Sequence, residues 1–464
     1  MSPRLPSYAD SVLAPHIGHL YSMVLADVLK RWQQLEGKEA YLSTGTDEHG
    51  MKIQRAAQND GVEPKDMCDE NSAQFRDLAD RGNISYDTFI RTTEPRHKEA
   101  VGHFYTILKQ TGLGDKLGLY KGDHEGWYSV SDECFYPEDT VEPSVVPQTG
   151  KKVIVSKETG SAVEWVKEET WFFPLTKYKE RLLRFFDENP EWIKPEAKMA
   201  EVRSWVENNL EDLSVTRPAA RLSWGIQDPE DNKQTIYVWV DALINYLTLT
   251  GYGKDWHYEP PQGSLWPADL HVVGKDIVRF HAVYWPAMLM ALDLPLPKGI
   301  VCHNHWTMSN RKMSKSVGNV VNPILAMDRW GVDPLRYFLM RNGSLNRDMD
   351  YSNRIIEAIY TKELQATLGN LYYRVFRPKS DKSWSTRGIL QTYGGFQDQA
   401  YVMDKVESEK GLSSLDVYID KTPKRVARYM RAKNIAKALD YIFTLLQEVA
   451  CLVPIRRENC VHIR

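Results

Sequence analysis

Cysteine is scarce in this sequence and never clustered: Cys68, Cys134, Cys302, Cys451 and Cys460 include no Cys-x-x-Cys pair. That excludes a disulfide framework and fits a reducing compartment. Long apolar runs are missing too. The longest, around Ala282 to Leu292, contains a proline and stays well short of the roughly 18 residues that span a bilayer, so no membrane segment is expected. Net charge is almost absent, with 59 Lys and Arg against 62 Asp and Glu leaving −3. An RNA partner would have to be met by local basic faces, because bulk charge supplies no attraction. The first ten residues hold a single arginine, Arg4, and no apolar block, so neither a secretory signal nor an Arg-rich transit peptide can be read.

Several enzyme signatures are also lacking. There is no Gly-x-x-x-x-Gly-Lys-Ser/Thr, and Gly112-Leu113-Gly114 with Gly118 has the wrong spacing for a dinucleotide fingerprint. His124-Glu125 has no second histidine four residues on, and no nucleophile motif is present. P-loop, dehydrogenase and zinc-protease chemistries fit poorly.

What is present is ample core material. Hydrophobic residues make up 42% of 464, enough for two to four domains at roughly 100 to 200 residues each. Leu20, Val24, Leu25, Val28, Leu29, Trp32 and Leu35 recur at helical spacing until Gly37, which predicts a helix of about four turns. A strand is expected over Ala40 to Leu42, then a polar turn from Thr44 to Gly50, then a helix from Lys52. That order is the rhythm of a parallel doubly wound sheet. From about Gly112 to Asp212 short Gly- and Pro-punctuated segments break it, so an inserted module is expected there. Strands over Thr235 to Val240 and Leu270 to Val273 and a helix from Ile277 resume the alternation, and beyond Tyr351 the pattern is helical. A polar interval lies between about Arg377 and Ser414. The helix after it places Lys424, Arg428 and Arg431 on one face, and from Lys421 to Lys437 there are seven basic residues and no acidic one.

Two segments carry chemistry. In His16-Ile17-Gly18-His19 the histidines lie three apart where a helix begins, and a helix N-terminus offers free N–H groups and positive dipole to an anion. Gly18 would let the backbone approach a nucleotide closely, and each imidazole can donate to phosphate oxygens as charge builds in a transition state. A bare His-x-Gly-His is equally often a pair of capping or core histidines. Arg311-Lys312-Met313-Ser314-Lys315-Ser316 places three cations within five residues on a loop that also holds Gly318. A charge run is usually a solvated face. Here it precedes a structured stretch, Val320 to Ala326, as a clamp on leaving pyrophosphate would.

In this order, His16 to His19 and Lys312 to Ser316 resemble the class I aminoacyl-tRNA synthetases. Thr44-Gly-Thr-Asp-Glu-His-Gly50, Tyr237-Val-Trp-Val-Asp-Ala-Leu-Ile-Asn-Tyr246 and Gly274-Lys-Asp-Ile-Val-Arg-Phe-His-Ala-Val-Tyr-Trp285 are similar to blocks of the methionyl-tRNA synthetase family. The likeness covers nearly the whole chain. It implies an α/β doubly wound parallel (Rossmann-like) sheet split by a connective insertion and followed by an α-helical bundle. The implied domains are 1–112 with 213–306 (catalytic), 113–212 (insertion without zinc), 307–350 (Lys-Met-Ser-Lys-Ser loop and stem contact) and 351–464 (anticodon binding).

The resemblance implies ATP with Mg2+, methionine and tRNA(Met) as ligands. His16, Gly18, His19, Lys275, Asp276, Lys312, Ser314 and Lys315 would serve ATP, with His16, His19, Lys312 and Lys315 acting in catalysis. Asp47 and Arg217 would hold the methionine amino and carboxyl groups, an anion and a cation facing a zwitterion. Trp239, Ala242, Tyr246, Ile277, His281 and Trp285 would line a thioether pocket, and aromatic walls suit sulfur. On periodicity alone Ile277, His281 and Trp285 are one core-facing helix side. Asn370 and Arg374 would read anticodon bases, since amide and guanidinium groups pair with exposed base edges. Lys424, Arg428 and Arg431 would track phosphate or form a solvated face.

The sequence departs from the family in three places. Around Cys134 the insertion keeps one cysteine without a partner, so no zinc is expected, as in the shorter bacterial-like enzymes of fungal and other mitochondria. Aspartate stands at Asp10, where a pocket tyrosine is usual. The last tryptophan is Trp384, and Pro454 should stop the final helix. Either both ends of the sequence are altered, or the amino-acid site is impaired and the chain is an RNA- or protein-binding module on a synthetase fold. A monomer in the mitochondrial matrix is expected, with the cytoplasm as the other compartment.

Overall fold

The computed structural model describes residues 14–111, 118–132, 134–145, 150, 152–313, 318–376 and 412–452. The chain divides into two compact units, one running up to His305 and taking in Val321–Ile324, the other built from Trp306–Val320 and from Leu325 onward.

In the first unit, helix α1 spans Ile17–Leu35 and buries Ile17, Leu20, Tyr21, Val24, Leu25 and Leu29. The expected helix is present, with Leu20, Val24, Leu25 and Leu29 of the apolar periodicity buried, while Val28 and Trp32 are half-buried and Leu35 is exposed at the helix end. Strand β1 is Ser43–Thr46, followed by helices α2 (Met51–Asp60) and α3 (Pro64–Arg81), strand β2 (Thr88–Arg91) and helix α4 (Pro95–Gln110). β1 pairs in parallel with β2, Gly45 opposite Ile90. The strand therefore lies just beyond Ala40 to Leu42, inside the segment expected to turn. Close backbone approach decides this: a Cβ on residue 45 would sit 2.0 Å from the Ile90 carbonyl oxygen, so only glycine fits.

An antiparallel sheet follows, from β3 (Tyr120–Ser129), β4 (Cys134–Tyr136), β5 (Val141–Val145), β6 (Lys152–Ser156) and β7 (Ala162–Phe173), in the order β4-β3-β7-β6-β5. At the β3–β4 turn, Asp132 accepts hydrogen bonds from Ser129 Oγ at 3.0 Å, Tyr136 Oη at 3.0 Å, Thr159 Oγ1 at 2.7 Å and Ser161 Oγ at 2.9 Å. One carboxylate thus ties the turn to the β6–β7 connection. Asp132→Ala strands four hydroxyls and is expected to lower stability by about 1–3 kcal/mol, measurable by urea denaturation.

Helix α5 (Lys179–Glu188), strand β8 (Ile193–Lys194) and helix α6 (Glu196–Asn209) come next, then β9 (Leu213–Ser214), β10 (Thr216–Pro218), β11 (Gln227–Asp228), β12 (Asp231–Ile236) and helix α7 (Val238–Thr248). Strand β12 ends before the apolar run does, and Val238 to Val240 open α7. A short apolar run does not by itself separate strand from buried helix. Strands β13 (His271–Gly274) and β14 (Ile300–His303) form a parallel sheet in which β14 lies between β13 and β8. Although β8 falls inside 113–212, it belongs to this layer. Between β13 and β14 the helix expected from Ile277 is composite: a 3-10 turn over Lys275–Ile277, a π-helix over Phe280–Tyr284, then α8, Trp285–Ala291. The fold class is α/β, a Rossmann-like parallel arrangement interrupted by an antiparallel insertion, with helices after it.

In the second unit, Trp306–Met308, Arg311–Lys312 and Met349–Asp350 form a three-stranded sheet. Helices Val332–Asn342, Asn353–Ile359, Asn370–Phe376, Leu412–Arg431 and Ile435–Leu452 accompany a π-helical stretch at Tyr360–Gly369. Arg341 pairs with Glu363 at 3.1 Å and with Asp440 at 3.0 Å, joining three of these elements. Lys424, Arg428 and Arg431 are exposed on one side of Leu412–Arg431, opposite the buried Val426 and Met430. Most of the polar interval after Arg377 lies outside the described residues.

Candidate active site

His16 caps α1. Its Nδ1 accepts the Gly18 N–H at 3.1 Å, while His19 Nδ1 accepts the His16 N–H at 3.1 Å. This is a reciprocal capping box made of two imidazoles. Because each Nδ1 accepts, each neutral ring carries its proton on Nε2. The rings stack with centroids 3.8 Å apart and 18° between planes. Helix start and rings together suit a polyphosphate. Gly18 has a local reason as well: a Cβ there would meet the His16 ring at 2.9 Å. Val321, returning to this unit after the basic loop, accepts the Ile17 N–H at 3.1 Å.

The turn after β1 is held from several sides. Glu48, 2% exposed, takes Arg91 Nε at 2.7 Å and Nη2 at 2.9 Å, Thr93 Oγ1 at 2.5 Å and Thr46 Oγ1 at 2.6 Å. Its N–H donates to Thr92 Oγ1 at 2.9 Å. Trp224 Nε1 donates to the Glu48 carbonyl at 2.6 Å, and the Trp224 carbonyl accepts the Gly50 N–H at 3.1 Å. Asp47, just before these buried residues, is exposed.

Trp239, Ala242 and Tyr246 lie at i, i+3 and i+7 on α7, which is one helix face. Trp239 stacks on Phe280 at 3.9 Å, and Tyr246 packs within 6.4 Å of Trp285. His281 Nδ1 donates to the Ile277 carbonyl at 2.9 Å, which leaves Nε2 to accept the Tyr246 hydroxyl proton at 2.7 Å. Burial pushes His281 down to about 4, outweighing the Ile277 bond, and burial pushes the Tyr246 phenol up. The imidazole is neutral at ordinary pH and both its nitrogens are engaged. Such a ring-walled site is apolar in effect and suits a thioether. Tyr246→Phe leaves His281 Nε2 buried without a donor, and a loss of about 1–3 kcal/mol in stability or ligand binding is expected, measured by denaturation and by substrate KM.

Arg217, on β10, is 2% exposed. Its Nη1 donates to Ser214 Oγ at 2.8 Å and the Thr216 carbonyl at 2.6 Å, and its guanidinium lies 4.5 Å from the Tyr237 ring centroid. Among the described residues its Nε has no hydrogen-bond partner, and it is ion-paired with Glu168 Oε1 at 3.6 Å. Lys275 and Asp276 form the 3-10 turn after β13, where Asp276 reaches His305 Nε2 at 3.2 Å. These residues, with His16, His19, Asp47 and the α7 set, belong to the first unit.

In the second unit Lys312 is exposed on its short strand, and its carbonyl accepts from Asn319 Nδ2 at 3.1 Å. Ser314 and Lys315 lie outside the described residues. Asn370 is exposed at the end of the π-helical stretch, and Arg374 follows one turn on along Asn370–Phe376. Among the described residues no group of three or more His, Cys, Asp or Glu could hold a metal ion, and no helix is long and apolar enough to cross a membrane.

The family model for tRNA synthetases class I (M) matches residues 7–376. The chain belongs to that family. It is 49% identical over 444 residues to a "Probable methionine–tRNA ligase, mitochondrial" of Neurospora crassa, covering 95% of this chain and 69% of the relative. It is 44% identical over 449 residues to the mitochondrial methionine–tRNA ligase of Mus musculus, covering 94% and 73%. Among solved structures, Mycobacterium tuberculosis methionyl-tRNA synthetase bound by methionyl-adenylate matches with a TM-score of 0.79 and 35% identity, covering 94% of this chain and 80% of that one.

Within this class I synthetase (M) site several residues escaped sequence reasoning. Phe280, the first residue of the π-helical stretch, stacks on Trp239. His271 packs against Tyr246 with ring centroids 4.1 Å apart and tilted by 41°, and is 4% exposed, its Nε2 unpartnered among the described residues. His303 Nε2 meets Ser22 Oγ at 2.7 Å beneath the His16 turn. None of these three has a local sequence signal.

Proposed function

We propose that this chain activates methionine with ATP to methionyl-adenylate and pyrophosphate, then transfers methionine to the terminal adenosine of tRNA(Met). The observation that carries this reading is the cluster of aromatic rings around His281, whose imidazole is neutral and hydrogen-bonded at both nitrogens, in the same unit as the histidine-capped helix start. In the first step a methionine carboxylate oxygen attacks the α-phosphorus, and the bond to the bridging oxygen of pyrophosphate breaks. In the second a ribose hydroxyl attacks the acyl carbon and AMP leaves.

Asp47 would take the substrate amine and Arg217 the carboxylate. Trp239, Ala242, Tyr246, Ile277, His281 and Trp285 would enclose the side chain. His16 and His19 would donate from Nε2 to the phosphates over the start of α1, where Gly18 leaves room, and Lys275 and Asp276 would flank the nucleotide. Lys312, Ser314 and Lys315 would neutralise departing pyrophosphate, and Asn370 and Arg374 would read the anticodon. Mg2+ would arrive with ATP, adding positive charge on the phosphates. The insertion is proposed to need no zinc, its turn being tied by Asp132, so a chelator should leave the thermal midpoint unchanged. We assign the protein to mitochondria by likeness to the mitochondrial relatives, and propose that it is a monomer.

Methionine-dependent ATP–pyrophosphate exchange and charging of tRNA(Met) test the reading together. Both should be seen. Folded protein that binds tRNA without exchange would instead be a binding module on a synthetase fold.

A further inference from the structure

Asp241 sits on α7 at 1% exposure, on a helix otherwise packed through Val238, Val240, Leu243, Ile244 and Leu247. Its Oδ2 accepts from His49 Nδ1 at 2.6 Å and its Oδ1 from His97 Nε2 at 2.7 Å. Both histidines are buried as well. Burial pushes this carboxyl up while His49 and His97 pull it down, and the pull is the larger effect, so it stays a carboxylate. An anion in such a place is costly unless every oxygen is bonded. Here each oxygen is given to an imidazole from a different element, His49 from the loop after β1 and His97 from α4. At the far end His97 Nδ1 meets Thr248 Oγ1 at 2.8 Å, closing the chain back onto α7.

With the roles proposed above, the two elements joined by this carboxylate would meet opposite ends of an amino acid. α7 carries Trp239, Ala242 and Tyr246, the side-chain wall. The loop carries Asp47, which is exposed, followed directly by the buried Glu48, His49 and Gly50. Glu48 anchors the loop to the end of β2 through Arg91 and Thr93, and His49 ties it by its side chain to α7.

We propose that Asp241 and His49 are positioning residues for amino-acid selection: they hold Asp47 at a fixed distance from the ring wall of α7, so that the site measures the length between an α-amino group and its side-chain end. This rests on the assignment of Asp47 to the substrate amine. The substrate class is an unbranched α-amino acid of methionine's length, and a chain one methylene longer is rejected because neither end can yield.

The test is a set of exchange assays on the full chain with wild type, His49→Gln, Asp241→Asn, Asp47→Asn and the double variant Asp47→Asn with His49→Gln. His49→Gln and Asp241→Asn should each raise the methionine KM about 10- to 100-fold, the scale of a displaced substrate anchor, with the ATP KM unchanged. Preference for methionine over ethionine should fall in both. On the Asp47→Asn background His49→Gln should add no further loss, since it acts through Asp47. If Asp241→Asn does not fold, His49→Gln, which keeps the Asp241–His97 bond, decides alone. An unchanged methionine KM in folded His49→Gln, a parallel rise in the ATP KM, or full multiplicative loss in the double variant overturns the positioning role. Failure of Asp47→Asn to alter the methionine KM overturns the assignment of Asp47 itself, which is a separate result.

Discussion

Replacing His16 by Asn should lower the rate of methionine-dependent ATP–pyrophosphate exchange by about 100- to 1,000-fold, the effect of removing one preorganised donor from a developing anion. Asparagine is a good N-cap residue, so α1 keeps its first turn and the thermal midpoint should barely move. What is lost is the imidazole: its Nε2 proton, fixed by the Nδ1 bond to Gly18 N, and its stacking on His19. His19→Asn should act similarly, through the same pair. Because the rings work as a unit, the double variant should be little worse than either single one. Exchange within threefold of wild type in a folded His16→Asn protein would remove the histidines from the phosphate chemistry.

Acid should destabilise the first unit well before its carboxylates are protonated. His281 and His303 are both pushed down to about 4, burial being the largest cause in each, and His271 is lowered in the same direction for the same reason. The unfolded chain, with histidines near 6.5, therefore binds more protons than the folded one between those values. Stability consequently rises with pH across that window. It is fully present above about 6.5 and is lost progressively as the pH falls toward 4. At roughly 1.4 kcal/mol per tenfold in proton affinity, two such groups together account for at most about 7 kcal/mol. Urea denaturation at a series of pH values from neutrality to acid should show the slope, and His281→Asn with His303→Asn should flatten it. An identical slope in that double variant would mean other groups carry the acid response.

Much of the site was legible because its chemistry is local. The periodicity from Leu20 to Leu35 and its stop at Gly37 predicted α1, and His-x-Gly-His at a helix start predicted an anion site. Family likeness, and not spacing, singled out the residues proposed to enclose the side chain: on spacing, Ile277, His281 and Trp285 read first as a core stripe. The apolar run at Ala40 to Leu42 misplaced β1, because strand position is set by what lies alongside, here the Ile90 carbonyl against Gly45. The run through Val240 read as strand although α7 had already begun, since a helix buried on most sides has no polar face to mark its period.

The sequence by itself determined which residue types stand at the ends of elements, and through them the family. Tertiary structure decided their states. No local rule brings His49 to Asp241, 192 residues away, or fixes the tautomer of His281 by a tyrosine from another helix. Capping and helical pairing act over three or four residues. Burial is instead a collective property of the packed core, and it sets whether an imidazole is charged and which of its nitrogens carries the proton. His16, His19 and His281 were therefore visible in the sequence as site residues, while His49, His271 and His303, and the protons that all of them carry, were not.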